Sequence, residues 1–194
     1  RPAKSAAKYA SVWRKEGSPL LYWTQRQALR LLGQLGERGH QVIVRHAMRY
    51  GLPSVASTLD ALKADGATRI LVLPMYPQYS GATTASISDA VASWGLRVRR
   101  LPEFRHVMRY HDDPGYIEAL ADSVRRHWQT NGRSEKLVMS FHGMPARSLP
   151  LGDPYHCECQ FTARLLAERL GLVPEEWVIT FQSRFGRAKW LEPY

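Results

Sequence analysis

The run Leu137–Phe141 is short, apolar and abruptly ended: it stops at His142 and then breaks through Gly143 and Pro145. Apolar runs of this length between turn residues suit a strand covered on both faces, which calls for helices packed on a parallel sheet. In open α/β sheets the ligand crevice lies beyond the carboxyl ends of the strands. His142 is therefore expected at the mouth of such a crevice, on a rigid base. An imidazole takes up protons near neutrality and ligates transition metals. It can equally cap a turn, and the run alone leaves both readings open.

The rest of the chain alternates in the same way. Leu20–Trp23 reads as a short buried strand, with Thr24 capping a helix that carries Leu29, Leu32 and Leu35. Gln41–His46 alternates around Val42 and Val44, and Pro53 suits the first turn of a helix with Val55, Leu59 and Leu62, closed by Gly66. Ile70–Leu73 is an apolar strand ending at Pro74, followed by a helix from about Thr84 to Trp94. Val98–Leu101 is a weaker strand, and Pro114–Trp128 an amphipathic helix. Beyond the polar stretch Gln129–Lys136 come the Leu137–Phe141 strand, a helix near Gln160–Leu170 stopped by Gly171, and a strand Trp177–Phe181.

Strand–helix alternation with connections of this length builds parallel βαβ units. The expectation is an α/β fold with Rossmann-like parallel sheets and flanking helices. The polar stretch is the best boundary, giving an N-terminal domain over 1–130 and the start of a second over 131–194. Two clear strands are too few for an independent parallel sheet. The chain also stops at Tyr194 directly after the loop Gln182–Pro193, so further chain is expected beyond it. It opens on Arg1 rather than Met.

Charge and cysteine content narrow the chemistry. The formal net charge is +10, from 27 Lys and Arg against 17 Asp and Glu. That excess favours anionic partners such as acidic lipid, nucleic acid or a carboxylate-bearing ligand. The basic residues are scattered, as at Arg97, Arg99, Arg100 and Arg105, which suits a solvated face. No apolar run approaches the roughly 18–20 residues of a spanning helix. The 2 cysteines give no disulfide framework and fit a reducing compartment. Their setting, His156-Cys157-Glu158-Cys159, invites a metal reading but falls short of a closed zinc or iron–sulfur site.

Three loops share the predicted carboxyl edge with His142. Pro74–Thr84 offers the rings of Tyr76 and Tyr79, then Ser80, Thr83 and Thr84 before a helix N-terminus, suited to a flat ligand with acidic edges. A proline-stiffened loop with an N-cap explains the same residues. Arg49 and Tyr50 follow the Gln41–His46 strand, and a guanidinium pairs a carboxylate bidentately. Phe181–Trp190 adds Gln182, Ser183 and Trp190. Gly17-Ser18-Pro19 reads as a tight turn. Neither a dinucleotide fingerprint, a phosphate loop nor a nucleophile elbow occurs, which disfavours nucleotide chemistry and that hydrolase class.

Gly17–Leu20, Met48–Tyr50, Leu73–Ser80, Ser140–Pro145, Gly152–Tyr155, Thr180–Gly186 and Trp190-Leu191 occur in an order and spacing that resembles the ferrochelatases, enzymes of haem synthesis that insert ferrous iron into a porphyrin. The likeness is to proteobacterial members and runs along nearly the whole chain. The resemblance implies a two-domain chelatase fold with porphyrin in the cleft between domains, the second domain incomplete here. It makes His142 the catalytic and metal-site histidine. It puts Arg1, Tyr9, Ser18, Arg49, Tyr50, Tyr79 and Trp190 at porphyrin-lining positions.

It further implies protoporphyrin IX and Fe2+ as substrates, no tightly bound cofactor, no nucleic acid, and a cytoplasmic protein with room for peripheral contact at the inner membrane. Three departures accompany it. The family's opening strand and first loop are absent before Arg1, and the carboxylate that partners the histidine lies beyond Tyr194. Gly81 stands where cluster-bearing members have a cysteine, so an iron–sulfur cluster is not supported. The 194-residue chain alone is accordingly expected to be inactive. Competing readings are a chelatase for another tetrapyrrole or metal, a non-enzymatic tetrapyrrole carrier, and a nucleic-acid module suggested by charge alone.

Overall fold

The structure, a computed structural model, describes residues 2–194. Packing divides the chain into two compact units. One runs to Ile70 and includes Asp89–Phe104; the other comprises Leu71–Ser88 and Arg105–Tyr194. The elements are α1 (Pro2–Ala10), α2 (Pro19–Glu37), α3 (Val55–Ala64), β1 (Arg69–Val72), α4 (Ser86–Gly95), β2 (Glu103–His106), α5 (Pro114–Asn131), β3 (Leu137–His142), α6 (Tyr155–Leu170) and β4 (Trp177–Gln182). Short parallel strands with flanking helices make this an α/β protein, as the alternation of the sequence predicts.

In the first unit the predicted strand Leu20–Trp23 is instead the opening of α2. Ser18 is its N-cap, its hydroxyl accepting the Leu21 N–H at 3.1 Å, and Pro19 occupies the first helical position. A capping hydroxyl followed by proline pre-organises a helix, and that local preference outweighs a four-residue apolar run. No residue of α2 is buried, and Leu20 and Leu29 are each 66% exposed. Gln41–His46, expected as a strand, forms no ladder: among the described residues no main-chain hydrogen bond ties 41–47 to a neighbour. Alternating apolar residues alone do not make a strand without a partner to take the backbone bonds.

Ser54, not Pro53, prepares the start of α3: it is the N-cap, its hydroxyl accepting the Ser57 N–H at 3.1 Å, and Pro53 precedes that cap. Trp94 is almost wholly buried, its indole N–H donating to Asp60 at 2.7 Å and its ring meeting Phe104 edge-on. The weak strand expected over Val98–Leu101 forms later, as β2. Leu96, Arg97 and Val98 are spent on turns, their N–H groups donating to Ala92, Trp94 and Gly95. Pro102 has no N–H to give, so pairing starts with Glu103, which donates to the Thr68 carbonyl at 2.8 Å. β1 and β2 form a two-stranded pair.

In the second unit β3 and β4 run parallel, in register from Leu137 opposite Trp177 to His142 opposite Gln182. The core beside them is built from Met139, Ile179 and Phe181 of the strands, Ala121 of α5, Leu191, and Cys159, Ala163, Leu166 and Ala167 of α6. The buried positions of α6 recur in pairs, 158/159, 162/163 and 166/167, the stripe one helix face presents. Met139 is buried while Val138 is 57% exposed, so in this unit β3 is covered on one face rather than the two expected. Gly171 ends α6 in the left-handed region at φ 67°, with the Leu172 N–H returning to the Ala167 carbonyl at 3.0 Å. α5 runs on to Asn131 before Gly132 stops it, three residues into the polar stretch. Among the described residues no helix is long and apolar enough to cross a membrane.

Candidate functional site

β3 delivers His142 to the carboxyl end of the β3–β4 pair, where its side chain is exposed. The ring nitrogen Nδ1 lies 2.7 Å from the Gly143 carbonyl. A carbonyl only accepts, so Nδ1 carries the hydrogen, and in the neutral ring the lone pair lies on Nε2. The His142 carbonyl in turn accepts the Tyr155 hydroxyl at 3.0 Å. The backbone thus fixes both the tautomer and the strand end from which the ring projects.

Gly143 is what lets the chain turn there. Its N–H donates to the Gln182 carbonyl at 2.6 Å. A Cβ at this position would stand 2.8 Å from that carbonyl oxygen and 3.3 Å from Cε3 of Trp190. Only a residue without a side chain permits so close an approach.

His142 lines a cleft of about 390 Å3 whose walls are Ala82, Met144, Pro145, Leu151, Phe185 and Trp190, with Arg147 and Ser148 at its side. A largely apolar concavity with a few polar groups, of this size, is what small-molecule sites look like. The C-terminal segment closes one wall: Ala146 donates to the Lys189 carbonyl at 2.8 Å, and Leu191 to the Met144 carbonyl at 2.9 Å. Trp190 is 7% exposed, its indole N–H bonded to the Phe185 carbonyl at 3.1 Å, while Phe185 itself is 71% exposed. Phe185, tilted against Trp190 at 4.7 Å between ring centroids, therefore presents the open aromatic surface.

The Pro74–Thr84 loop joins this site through α6 and the turn before it. Asp153 accepts from the Ser80 hydroxyl at 3.0 Å and the Gly81 N–H at 2.8 Å, and caps α6 by accepting the Tyr155 N–H at 3.0 Å. Glu158, 4% exposed, accepts the Tyr79 N–H at 2.6 Å and pairs with Arg109 at 2.9 Å. Gln78 donates to the Thr162 hydroxyl at 3.0 Å. Two carboxylates and a hydroxyl thus hold the loop, through the backbone N–H groups of Tyr79 and Gly81 and the side chains of Gln78 and Ser80, and Ala82 stands in the cleft wall.

His142, Tyr79 and Trp190 belong to the second unit. Tyr9 (64% exposed, in α1), Ser18, Arg49 and Tyr50 belong to the first, where the Arg49 guanidinium lies 4.7 Å over the Tyr50 ring. Ser18 has a structural task as the cap of α2. Arg1 lies outside the described residues. The His156–Cys159 stretch is occupied by other work. His156 stacks on Phe181 at 5.3 Å, and burial pushes the Cys159 thiol up to about 12. Among the described residues no three His, Cys, Asp or Glu side chains are grouped to hold a metal ion.

Sequence reasoning missed Arg147, Leu151, Phe185 and the clamp residues Asp153 and Glu158. Phe185 sits inside the motif Thr180–Gly186, and Asp153 inside Gly152–Tyr155, so both carried a signal. Glu158 was obscured by the two cysteines flanking it.

The ferrochelatase family model matches residues 1–194. A ferrochelatase of Methylibium petroleiphilum is 71% identical over 194 residues, covering all of this chain and 53% of that protein. One of a Polaromonas species is 70% identical over the same length, again covering all of the chain and 53% of the relative. That of Chromobacterium violaceum is 55% identical over 195 residues, covering all of the chain and 54% of the relative. The chain spans about half the length of the curated relatives it matches. With the match running its whole length, the chain belongs to the ferrochelatase family.

Proposed function

We propose that this chain carries the histidine side of a chelatase site that inserts ferrous iron into protoporphyrin IX, with His142 as proton acceptor or metal ligand. The observation that carries the reading is the His142 tautomer: Nδ1 is held by the Gly143 carbonyl, leaving the Nε2 lone pair for chemistry beside an apolar cleft. In the net reaction Fe2+ replaces two pyrrole N–H protons, so two protons must leave as the metal enters. A neutral imidazole can take one of them or bind the incoming ion, and either role needs Nε2 unprotonated. Iron and porphyrin are both substrates in this scheme, which calls for no resident cofactor.

The apolar walls suit the face of a macrocycle, and burial of aromatic area supplies the binding energy. Phe185, the exposed ring of the cleft, with Trp190 behind it, would press on the macrocycle, bend it and expose the pyrrole nitrogens. Such distortion is worth about 1–5 kcal/mol when remote contacts supply it. Tyr50 and Tyr79 are further porphyrin-lining positions in this reading, and Arg1, Tyr9, Ser18 and Arg49 are further porphyrin-contacting ones. The partner carboxylate of the metal site comes from outside 1–194. The protein is cytoplasmic in this reading and meets the inner membrane at most peripherally.

The test is anaerobic incubation of the full-length protein with Fe2+ and protoporphyrin, followed by absorbance of the metallated product. Catalytic formation of haem is expected. Tight porphyrin binding without insertion would make the protein a carrier, and insertion of another metal or into another tetrapyrrole in its place would reassign the substrate.

A further inference from the structure

We propose that Arg147 is the specificity residue of the His142 cleft, pairing a carboxylate on the bound ligand and so selecting an acidic macrocycle over an uncharged one. This rests on the chelatase reading of that cleft. Arg147 lies five residues after His142, on the 3-10 turn Ala146–Ser148, and lines the cleft together with the imidazole. It is the one permanently charged side chain in that lining; the rest is apolar apart from His142 and Ser148.

The turn is fixed on both sides of it. The Ala146 N–H is bonded to the Lys189 carbonyl at 2.8 Å, the Ser148 N–H to the Pro145 carbonyl at 2.9 Å, and Pro145 pairs with Trp190 across an antiparallel bridge. The guanidinium is exposed and, among the described residues, no carboxylate, carbonyl or ring holds it. Arg109, Arg125, Arg133 and Arg184 of the same unit are engaged within the protein, with Glu158, Glu118, Glu176 and the Tyr194 ring; Arg126 and Arg187 are exposed like Arg147, but neither lines the cleft. A cation on a rigid turn at the rim of an apolar cleft is complementary to a ligand with an apolar body and an anionic edge. Arginine's planar fork matches a carboxylate in two bonds, and it stays charged at any working pH.

The experiment measures binding of protoporphyrin and of its dimethyl ester to the full-length protein by fluorescence quenching, in the wild type and in Arg147→Gln and Arg147→Lys. The wild type should bind the diacid roughly tenfold or more tighter than the ester, the size of a charge-assisted bond. Arg147→Gln should weaken the diacid toward the ester while the ester's own affinity stays unchanged, which a merely unfolded variant would not show. Arg147→Lys should keep part of the preference. An Arg147→Gln protein that retains the full wild-type preference overturns the assignment of Arg147 and leaves the porphyrin reading intact. If neither porphyrin binds the wild type, the chelatase reading itself falls and this proposal with it.

Discussion

Gly143→Ala is the sharpest test of how the histidine is held. The new methyl would sit 2.8 Å from the Gln182 carbonyl oxygen, inside any tolerated contact, and 3.3 Å from the Trp190 ring. The atom it meets first is backbone, so no side-chain rotation relieves it. Either β4 retreats, breaking the 2.6 Å bond from the Gly143 N–H, or the turn after His142 opens. Overpacking of this kind costs about 1–3 kcal/mol and the lost hydrogen bond roughly 1 kcal/mol. The sum is a destabilisation of about 2–4 kcal/mol, together with loss of metal insertion as Nδ1 leaves the Gly143 carbonyl. Gly33→Ala provides the contrast. It lies within α2 with nothing within 4 Å of the added carbon, and alanine there should raise stability by about 0.5–1 kcal/mol. Urea unfolding of both variants beside the wild type reads the two signs. A Gly143→Ala protein as stable as the wild type, with full activity, would refute the close-approach argument.

Three further outcomes follow from the same contacts. Glu158→Ala removes the acceptor for the Tyr79 N–H and should cost about 1–3 kcal/mol, with faster amide exchange in the Pro74–Thr84 loop; Glu158→Gln, which keeps an oxygen, should cost less. Equal effects of the two substitutions would argue against the clamp. Cys157 is exposed whereas burial lifts the Cys159 thiol to about 12, so at pH 8 a maleimide should label one thiol per chain, at Cys157, and the second only after unfolding. The Arg169 and Arg125 side chains hold the Glu118 carboxyl below its ordinary pKa. A depressed carboxylate contributes stability at neutral pH that is lost as pH falls through the carboxylate range, so Glu118→Gln should flatten the acid limb of the stability profile, and an unchanged limb would dismiss the pair.

What the sequence made legible was set by local physics. β3 and β4 are apolar runs with clear ends, and α3 and α5 carry their own caps and stripes, so each lies close to its expected place; α6 starts at Tyr155, five residues before the expected Gln160, because its N-cap, Pro154, gives no side-chain signal. The end of α6 was announced by Gly171, the one residue type at home in that left-handed turn. The start of α2 is hidden because Gly17-Ser18-Pro19 suits a tight turn and Leu20–Trp23 has strand composition, although Ser18 followed by Pro19 is also a helix start. Gln41–His46 has strand composition, but a strand exists only with a neighbour, and pattern within a segment is blind to that. The same limit hid the site's supports. His142 is visible because it ends an apolar strand-like run directly before Gly143 and Pro145. The roles of Glu158, Asp153 and Arg147 depend on which loops arrive beside them, which only the fold decides.

The account turns on one imidazole, and His142→Ala in the full-length protein tests it most directly. Porphyrin titration and iron insertion are measured on the same sample. The prediction is that protoporphyrin still binds in the apolar cleft while insertion falls to background. Insertion at the wild-type rate by the alanine variant would contradict the central claim.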